Sequence, residues 1–513
     1  MRTNNSIKNS ITAFVTNMFS CLIAFIAQAF FVRILGAEYL GLNGLFTNIL
    51  TMLSFFELGI GSAIVYNLYK PIADNDEQKI KSLMFFYKKA YNFIALAVFV
   101  VGLAITPFIK FIVGEITIDI NIYLVYILFL LSTVSSYIVV YKRSFIIANQ
   151  QNYIINLIHM SYLILLNVFQ IIIIYFTKNF YLYLVIKILC QLLENIFINI
   201  IANKKYPYLK AISSKNRLDN KTEKDIYSRV KALILHKVAG VLVNGTDNII
   251  ISYFLGIVTV GLYSNYLIIT NAVNTIFNQV ITSATASVGN LLIEDDYKKR
   301  FDVFKKMRFV NFWISTFTSV SILVIIQPFI SIWLGSEYLI AFGVVCVIVF
   351  NFFQKMQRNT YATFKDSAGI WKEDKFVPLV EASLNIIFSI LCLKIFGLAG
   401  VFLGTIISGL ALWCYSYPKF VYKNLFKRSY MNYAKETLGY ISIFILIAVS
   451  TYSFSTLFVV ENLLLQLVIN TSICILIPNL ILLILFWKND NMIYFKELFF
   501  KILNKISSKV KKA

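Results

Sequence analysis

Apolar runs of about twenty residues recur along this chain, each long enough to cross roughly 30 Å of hydrocarbon as a helix, and the basic residues gather in every second gap between them. Runs near 9–35, 42–68, 90–113, 120–140, 153–176, 181–202, 232–255, 262–290, 309–327, 339–354, 376–395, 399–417, 437–459 and 463–487 predict fourteen spans. Of the 47 Lys and Arg residues, 41 lie before the first span, in the even-numbered gaps, or in the tail. The other six, Arg33, Lys110, Lys178, Lys187, Lys237 and Lys394, sit in spans or at their ends. Lys and Arg collect in cytoplasmic loops, so this alternation predicts an even number of crossings with both termini in the cytoplasm. The expected fold class is an all-α integral membrane protein.

Composition bears on partners. A content of 59% hydrophobic residues and a mean hydropathy of +0.74 fit one membrane body better than several soluble domains. A net charge of +22 would point to nucleic acid in a soluble chain. Here the cations lie along one membrane face, where anionic lipids attract them, so membrane lipids are the expected partners and nucleic acid is not. Cys21, Cys190, Cys346, Cys392, Cys414 and Cys474 all fall within apolar spans, without metal-like spacing, and read as packing residues. The first apolar run is too long for a signal peptide and is expected to remain as span 1.

The longest polar segment, 204–231, is basic and rich in turn formers, which makes it a linker between an N-terminal lobe (1–203, spans 1–6) and a C-terminal lobe (232–418, spans 7–12). The two halves repeat. LGAEYLGL at 35–42 is matched by LGIVTVGL at 255–262, and PFIKFIVG at 107–114 by PFISIWLG at 328–335, at offsets of 220 and 221 residues. Spans 1 and 7 run the same way, as do 3 and 9. The repeat is therefore parallel, with a substrate path expected at its interface. Spans 13 and 14 (437–487) lie outside the repeat as an appended helix pair facing lipid, followed by a basic cytoplasmic tail, 488–513.

Charged groups at mid-bilayer cost about 2.5–3.5 kcal/mol each on insertion scales, so those present usually face a cavity. Several polar residues form stripes at helical spacing: Thr47, Thr51, Ser54 and Glu57 in span 2; Lys187, Gln191 and Glu194 in span 6; His236, Gly240, Asn244 and Asp247 in span 7; Asn271, Asn274, Asn278, Thr282 and Thr285 in span 8. Asn17 and Gln28 share a face of span 1. Spans 1, 2, 7 and 8 are thus expected to line a polar lumen, although Asn and Thr stripes also join helices directly. Glu57 and Asp247 have no Lys or Arg three or four residues away and are the leading functional acids, as cation-coupling groups. Lys187 and Glu194 share a face about two turns apart, which leaves open a pairing through Gln191 or water, or a functional role. Glu381, after Pro378, can reach the inner interface or serve transport. His159 reads as a packed, hydrogen-bonded histidine.

Signals for an enzyme are weak. Asp74-Asn75-Asp76 has the carboxylate spacing with which sugar transferases hold a metal, but it sits in a short basic loop and reads as a solvated turn. Neither a Walker loop nor a Gly-rich dinucleotide turn is present. No cofactor or metal is expected, and coupling to a proton or sodium gradient stays open.

At these residues the chain resembles flippases of the MOP superfamily, in the Wzx-type branch that moves lipid-linked polysaccharide repeat units. The resemblance covers most of the chain and is carried by VRILGAEYLGLNGLF (32–46), FFELGIGSAIVYNLYKPIA (55–73), NGTDNIIISYFLG with VGLYSNY (244–266), and GIWKEDKFVPLVEASLN (369–385), which includes Glu381 and Asn385. It implies two six-helix, MATE-like lobes, alternating access, and a polyprenyl-diphosphate-linked glycan as substrate, moved outward across a bacterial inner membrane, with other polysaccharide assembly proteins as further partners. Arg33 matches an arginine that lipid-linked cell-wall precursor flippases place in their cavity, which makes it the expected diphosphate contact; as a membrane anchor it would instead snorkel to the headgroups. Glu57 matches an acid there. The chain lacks those relatives' other basic residues in span 2, so its substrate need not be theirs. The alternatives are a multidrug or toxin cation antiporter of the same fold and, less fittingly given the short outer loops, a membrane polymerase or ligase.

Overall fold

A computed structural model describes residues 2–57, 60–212, 218–283, 285–292, 294, 296–370, 373–493 and 496–497. Every regular element in them is helical. By compactness the chain divides between Ile268 and Ile269.

The first unit holds α1 (Arg2–Leu35), α2 (Ala37–Leu53), α3 (Ile60–Ala73), α4 (Glu77–Ile105), α5 (Ile109–Val113), α6 (Ile122–Ser136), α7 (Val140–Ala148), α8 (Asn152–Thr177), α9 (Phe180–Lys205), α10 (Asn220–Leu255) and the start of α11 (Ile257–Ser283). The division falls inside α11 because α10 packs on α2, α3 and α5. The second unit holds the rest of α11, then α12 (Thr285–Leu291), α13 (Tyr297–Trp333), α14 (Phe342–Ser367), α15 (Val377–Phe396), α16 (Leu398–Ala411) with a π-helical continuation over Leu412–Leu425, α17 (Tyr430–Thr456) and α18 (Leu463–Phe486).

Among the described residues, ten helices are long and apolar enough to cross a membrane: α1, α4 with α5, α6 with α7, α8, α9, α13, α15, α16 with its continuation, α17 and α18. The four other expected spans, near 42–68, 232–255, 262–290 and 339–354, fall outside this set. The first is split into α2 and α3, of 17 and 14 residues, by a 3-10 turn at Ser54–Glu57. Of the others, α11 and α14 carry Asn, Thr, Gln and charged residues that lower their hydropathy, and part of α10 lies outside the described residues. Around the bundle, Phe93, Phe176, Ile395 and Ile484 are each at least 70% exposed. Large apolar side chains in such numbers belong against lipid, not water.

Loop contacts in the first unit fall into two sets. Asn9 donates to the Gln150 carbonyl (3.0 Å) and accepts from the Tyr153 N–H (2.8 Å), Tyr206 donates to Gln151 (3.1 Å), and Lys79 pairs with Asp219 (2.6 Å). In this set the N-terminal end and Tyr206 meet the 149–153 turn, and the 74–79 turn meets Asp219 at the start of α10. In the other set, Glu38 accepts from Thr117 N–H and hydroxyl (both 2.6 Å), and the Tyr181 hydroxyl accepts from Asn121 N–H (2.7 Å). The alternation of basic and non-basic gaps thus has a counterpart in which loops touch. The Lys79 ammonium, with Thr222, holds the Asp219 carboxyl well below the usual carboxylate range. Asp76 of the Asp74-Asn75-Asp76 turn caps α4, accepting from Lys79 N–H at 2.8 Å.

The internal repeat is visible in the backbone. Gly36 ends α1 at φ 91° and Gly256 ends α10 at φ 86°, a conformation that glycine adopts without a Cβ clash. Beyond these breaks the matched motifs pack on each other. A Cβ on Gly41 would lie 2.0 Å from the Ile257 carbonyl oxygen, and one on Gly261 would lie 2.1 Å from that of Ala37. The contacts are reciprocal, as a twofold relation requires, and only hydrogen fits at either position.

In the second unit, α17 and α18 dock on α13, and α17 also meets α14. Phe312 stacks on Tyr440 (4.2 Å), Phe353 on Phe444 (3.9 Å), and Trp313 donates to Asn479 (2.7 Å). Their outer faces, with Val449 and Leu476, are exposed.

Candidate functional site

The break between α2 and α3 places Glu57 on the wall of a cavity of about 680 Å³ in the first unit. Glu57 is half-buried and accepts a hydrogen bond from the Tyr91 hydroxyl of α4 (3.2 Å). A second break delivers the opposite charge. Helix α6 ends at Ser136 and α7 begins at Val140. Ser135 and Ser136 turn their hydroxyls back onto the Ser132 and Thr133 carbonyls (both 2.7 Å), a bonding pattern that bends helices. The Ser135 carbonyl also accepts from Asn195 of α9 (2.7 Å). Helix α7 then carries Arg143 and Ser144 onto the lining of the Glu57 cavity, which Tyr137 of the break also lines.

Arg143 also pairs with Glu194 of α9 (Nη2 to Oε1, 3.0 Å), whose side chain is only 2% exposed. His159 (3.1 Å) and Gln191 (2.9 Å) complete the shell around that carboxylate. Of the readings left open for Lys187 and Glu194, the structure gives Glu194 the partners Arg143, His159 and Gln191, and places Lys187 over the Phe129 ring at 4.9 Å. Seven residues of separation put Lys187 and Glu194 on one face but two turns apart, whereas α7 and α8 approach Glu194 directly. His159 is hydrogen-bonded as expected and stacks on Tyr162 (5.5 Å).

A neighbouring cavity of about 540 Å³ is lined by Tyr66, Asn67, Tyr69, Lys70, Pro71, Lys79, Leu83 and Thr222. Tyr66 and Tyr69 line both cavities. Volumes of this size are in the usual range for small-molecule sites, roughly 300–1,000 Å³.

The remaining candidates are spread out. Arg33, in the last turn of α1, is exposed and is not among the residues lining either cavity. Asp247 is buried beside Tyr263 and does not line the Glu57 cavity. Gln28 is buried and donates to Asn265 (2.9 Å), so its amide joins α1 to α11. Asn17 is half-buried, Thr47 is exposed, and Thr51 and Ser54 return hydroxyl bonds to their own helix. The side chains of His236 and Asn244 lie outside the described residues. In the second unit, Asn271 is exposed, Asn278 donates to Asn274 (3.4 Å), and Asn385 donates to Thr405 (3.0 Å). Glu381 is buried against Arg358 (2.6 Å).

Arg143, Arg358 and the tyrosine pair were not singled out by the sequence. The two arginines count there as loop cations, because a tally of charge by gap cannot show which side chains turn back into the bundle. For Arg358 a signal existed: Asn351, Gln354 and Arg358 continue a polar stripe along α14 at helical spacing.

The family model for polysaccharide biosynthesis proteins matches residues 6–286. No curated protein is similar enough in sequence to match. Among solved structures, the chain is similar to the lipid II flippase MurJ in an inward closed conformation, with a TM-score of 0.63 and 15% identity over 94% of this chain and 99% of that one. It is also similar to an inward-facing multidrug resistance MATE family transporter of the MOP superfamily (TM-score 0.58, 15% identity, 78% and 95% covered) and to the Vibrio cholerae MATE transporter VcmN (0.54, 14%, 83% and 99%). With the family match covering more than half its length, and the fold shared with these solved structures running through most of it, the chain belongs to the polysaccharide biosynthesis protein family.

Proposed function

We propose that the protein is a flippase that moves polyprenyl-diphosphate-linked oligosaccharide repeat units from the cytoplasmic to the outer leaflet of the bacterial inner membrane by alternating access, for assembly of a surface polysaccharide such as O-antigen or capsule. It is a transporter and leaves its substrate chemically unchanged. The observation that carries this reading is the family match over 6–286, the stretch that also forms the Glu57–Arg143 cavity. A cation antiporter of the same fold would favour a cavity of net acid, and Arg143 opposes Glu57 in this one. Deleting the gene should make lipid-linked repeats accumulate in the inner leaflet. An unchanged distribution of repeats, with normal surface polysaccharide, would overturn the reading.

The finer architecture of this proposal is fourteen crossings, with lobes over 1–203 and 232–418, a linker at 204–231, the helix pair 437–487, and the basic tail 488–513. Both termini and the linker face the cytoplasm. Single cysteines in a Cys-free background should be labelled from outside intact cells at 114–119 and 327–338 and protected at 203–231. Labelling of 203–231 from outside defeats the topology.

Transport of a headgroup with about two negative charges is favoured by an inside-negative potential, worth about 4–5 kcal/mol per 100 mV for the full outward crossing. Arg33 is the proposed diphosphate contact, since a guanidinium stays charged and grips phosphate oxygens in pairs. Arg33→Lys should lose most flipping and Arg33→Ala nearly all, with normal insertion in both. Parental transport and lipid-diphosphate binding by Arg33→Ala would make it only an anchor. Glu57 and Asp247 are the proposed coupling acids. Glu57→Gln with Asp247→Asn should slow transport while sparing expression and substrate binding; full transport with an unchanged response to proton and sodium gradients removes that role.

A further inference from the structure

Tyr66 and Tyr69 stand one helical turn apart on α3, so their side chains share a face. Tyr66 is 58% exposed and Tyr69 50%. Tyrosines of an interfacial aromatic belt face lipid headgroups. These two instead line both cavities described above, one holding Glu57 and Arg143, the other Lys70 and Lys79. Two accessible aromatic rings therefore border a polar, charged space, next to groups that hydrogen-bond or carry charge.

That combination is matched to a particular kind of ligand. A hydrocarbon chain would leave Glu57 and Arg143 desolvated against it, at considerable cost. A bare diphosphate would use the cations but gain little from two ring faces. A sugar ring has both kinds of surface: its C–H face packs against an aromatic ring, and its hydroxyls take hydrogen bonds around the edge. Tyrosine suits this duty, because it offers a large rigid area with a polar tip at a low entropic cost, having only two side-chain torsions. The rings are part of an ordered helix, so the surface is preformed.

We infer that Tyr66 and Tyr69 form a stacking platform for the sugar rings of the transported glycan, making them specificity-determining residues for the sugar rather than for its lipid carrier. This inference rests on the proposed flippase function and deepens it. On this reading the two cavities are successive positions for a glycan of more than one ring, with the tyrosines between them. Lys79 is held by Asp219 (2.6 Å) and Thr222 (3.3 Å), so it borders the second position as part of an ion pair.

The test uses the full chain, purified and reconstituted in lipid nanodiscs, with two probes. One is the lipid-linked repeat extracted from cells lacking the gene, and the other is polyprenyl diphosphate without sugar. The parent protein should bind the glycosylated probe more tightly. Tyr66→Ala with Tyr69→Ala should weaken that binding by roughly tenfold to thirtyfold, as loss of an aromatic anchor does, and leave sugar-free binding unchanged. Tyr66→Trp with Tyr69→Trp should retain the preference, which an effect on folding alone would not produce. Equal losses for both probes, or no loss for either, would overturn the platform. A parent that binds both probes equally overturns the platform and leaves carrier transport standing, whereas a parent that binds neither sinks the flippase reading itself.

Discussion

Replacing Gly261 by leucine is expected to abolish transport while the protein still inserts into the membrane. A Cβ at this position already meets the Ala37 carbonyl oxygen at 2.1 Å and its carbon at 3.0 Å. Those are backbone atoms, which cannot rotate away, so α2 and α11 must separate. Overpacking of this kind costs about 1–3 kcal/mol and sometimes more. Gly41→Leu should behave alike, because its Cβ meets the Ile257 carbonyl in the mirrored contact. Gly439→Ala on α17, with nothing within 4 Å, is the neutral control. Flipping assays on reconstituted protein, with thermal unfolding alongside, decide the matter: parental transport by Gly261→Leu would show that the close seam is dispensable.

The second large effect is expected at Arg358. Its guanidinium lies 2.6 Å from Glu381, with both side chains largely buried, and Gly409 of α16 leaves the space the guanidinium occupies. Arg358→Met strands the carboxylate and should lower stability by about 3–5 kcal/mol, the usual result of removing one partner from a buried pair. Arg358→Met combined with Glu381→Leu should recover most of that loss, because it removes the stranded charge. Thermal unfolding of the three proteins in detergent measures it. A double variant no more stable than Arg358→Met would mean the loss comes from packing rather than from the charge left behind.

Hydropathy made ten of the helices legible because their windows are apolar throughout. It reads α2, α3, α11 and α14 less well, since polar residues and a broken helix dilute the same signal. The repeat motifs were legible as sequence, but their contact was not: nothing in LGAEYLGL or LGIVTVGL says that the second glycine of each lies against the backbone of the other. The candidate site was half legible. Glu57 was visible as an acid in an apolar run, whereas Arg143 reaches its wall only through the break at 136–140, a bend set by two serine hydroxyls and by Asn195, sixty residues after Ser135. Lys187 and Glu194 show the complementary limit: spacing along one helix leaves a pairing open, and the side chains that meet the carboxylate come also from neighbouring helices.

Gly44 and Ser264 are also 220 residues apart, and they meet: a Cβ on Gly44 would lie 2.7 Å from the Ser264 hydroxyl, which donates to Val260 (2.8 Å). Where a repeat touches its own copy, side-chain volume is a shared quantity. Serine is tolerated on one side because the other side has no side chain at all. The two positions are thus not free to drift independently: enlargement of either is conditional on the residue more than two hundred places away, and exchanging them, Gly44→Ser with Ser264→Gly, conserves the sum.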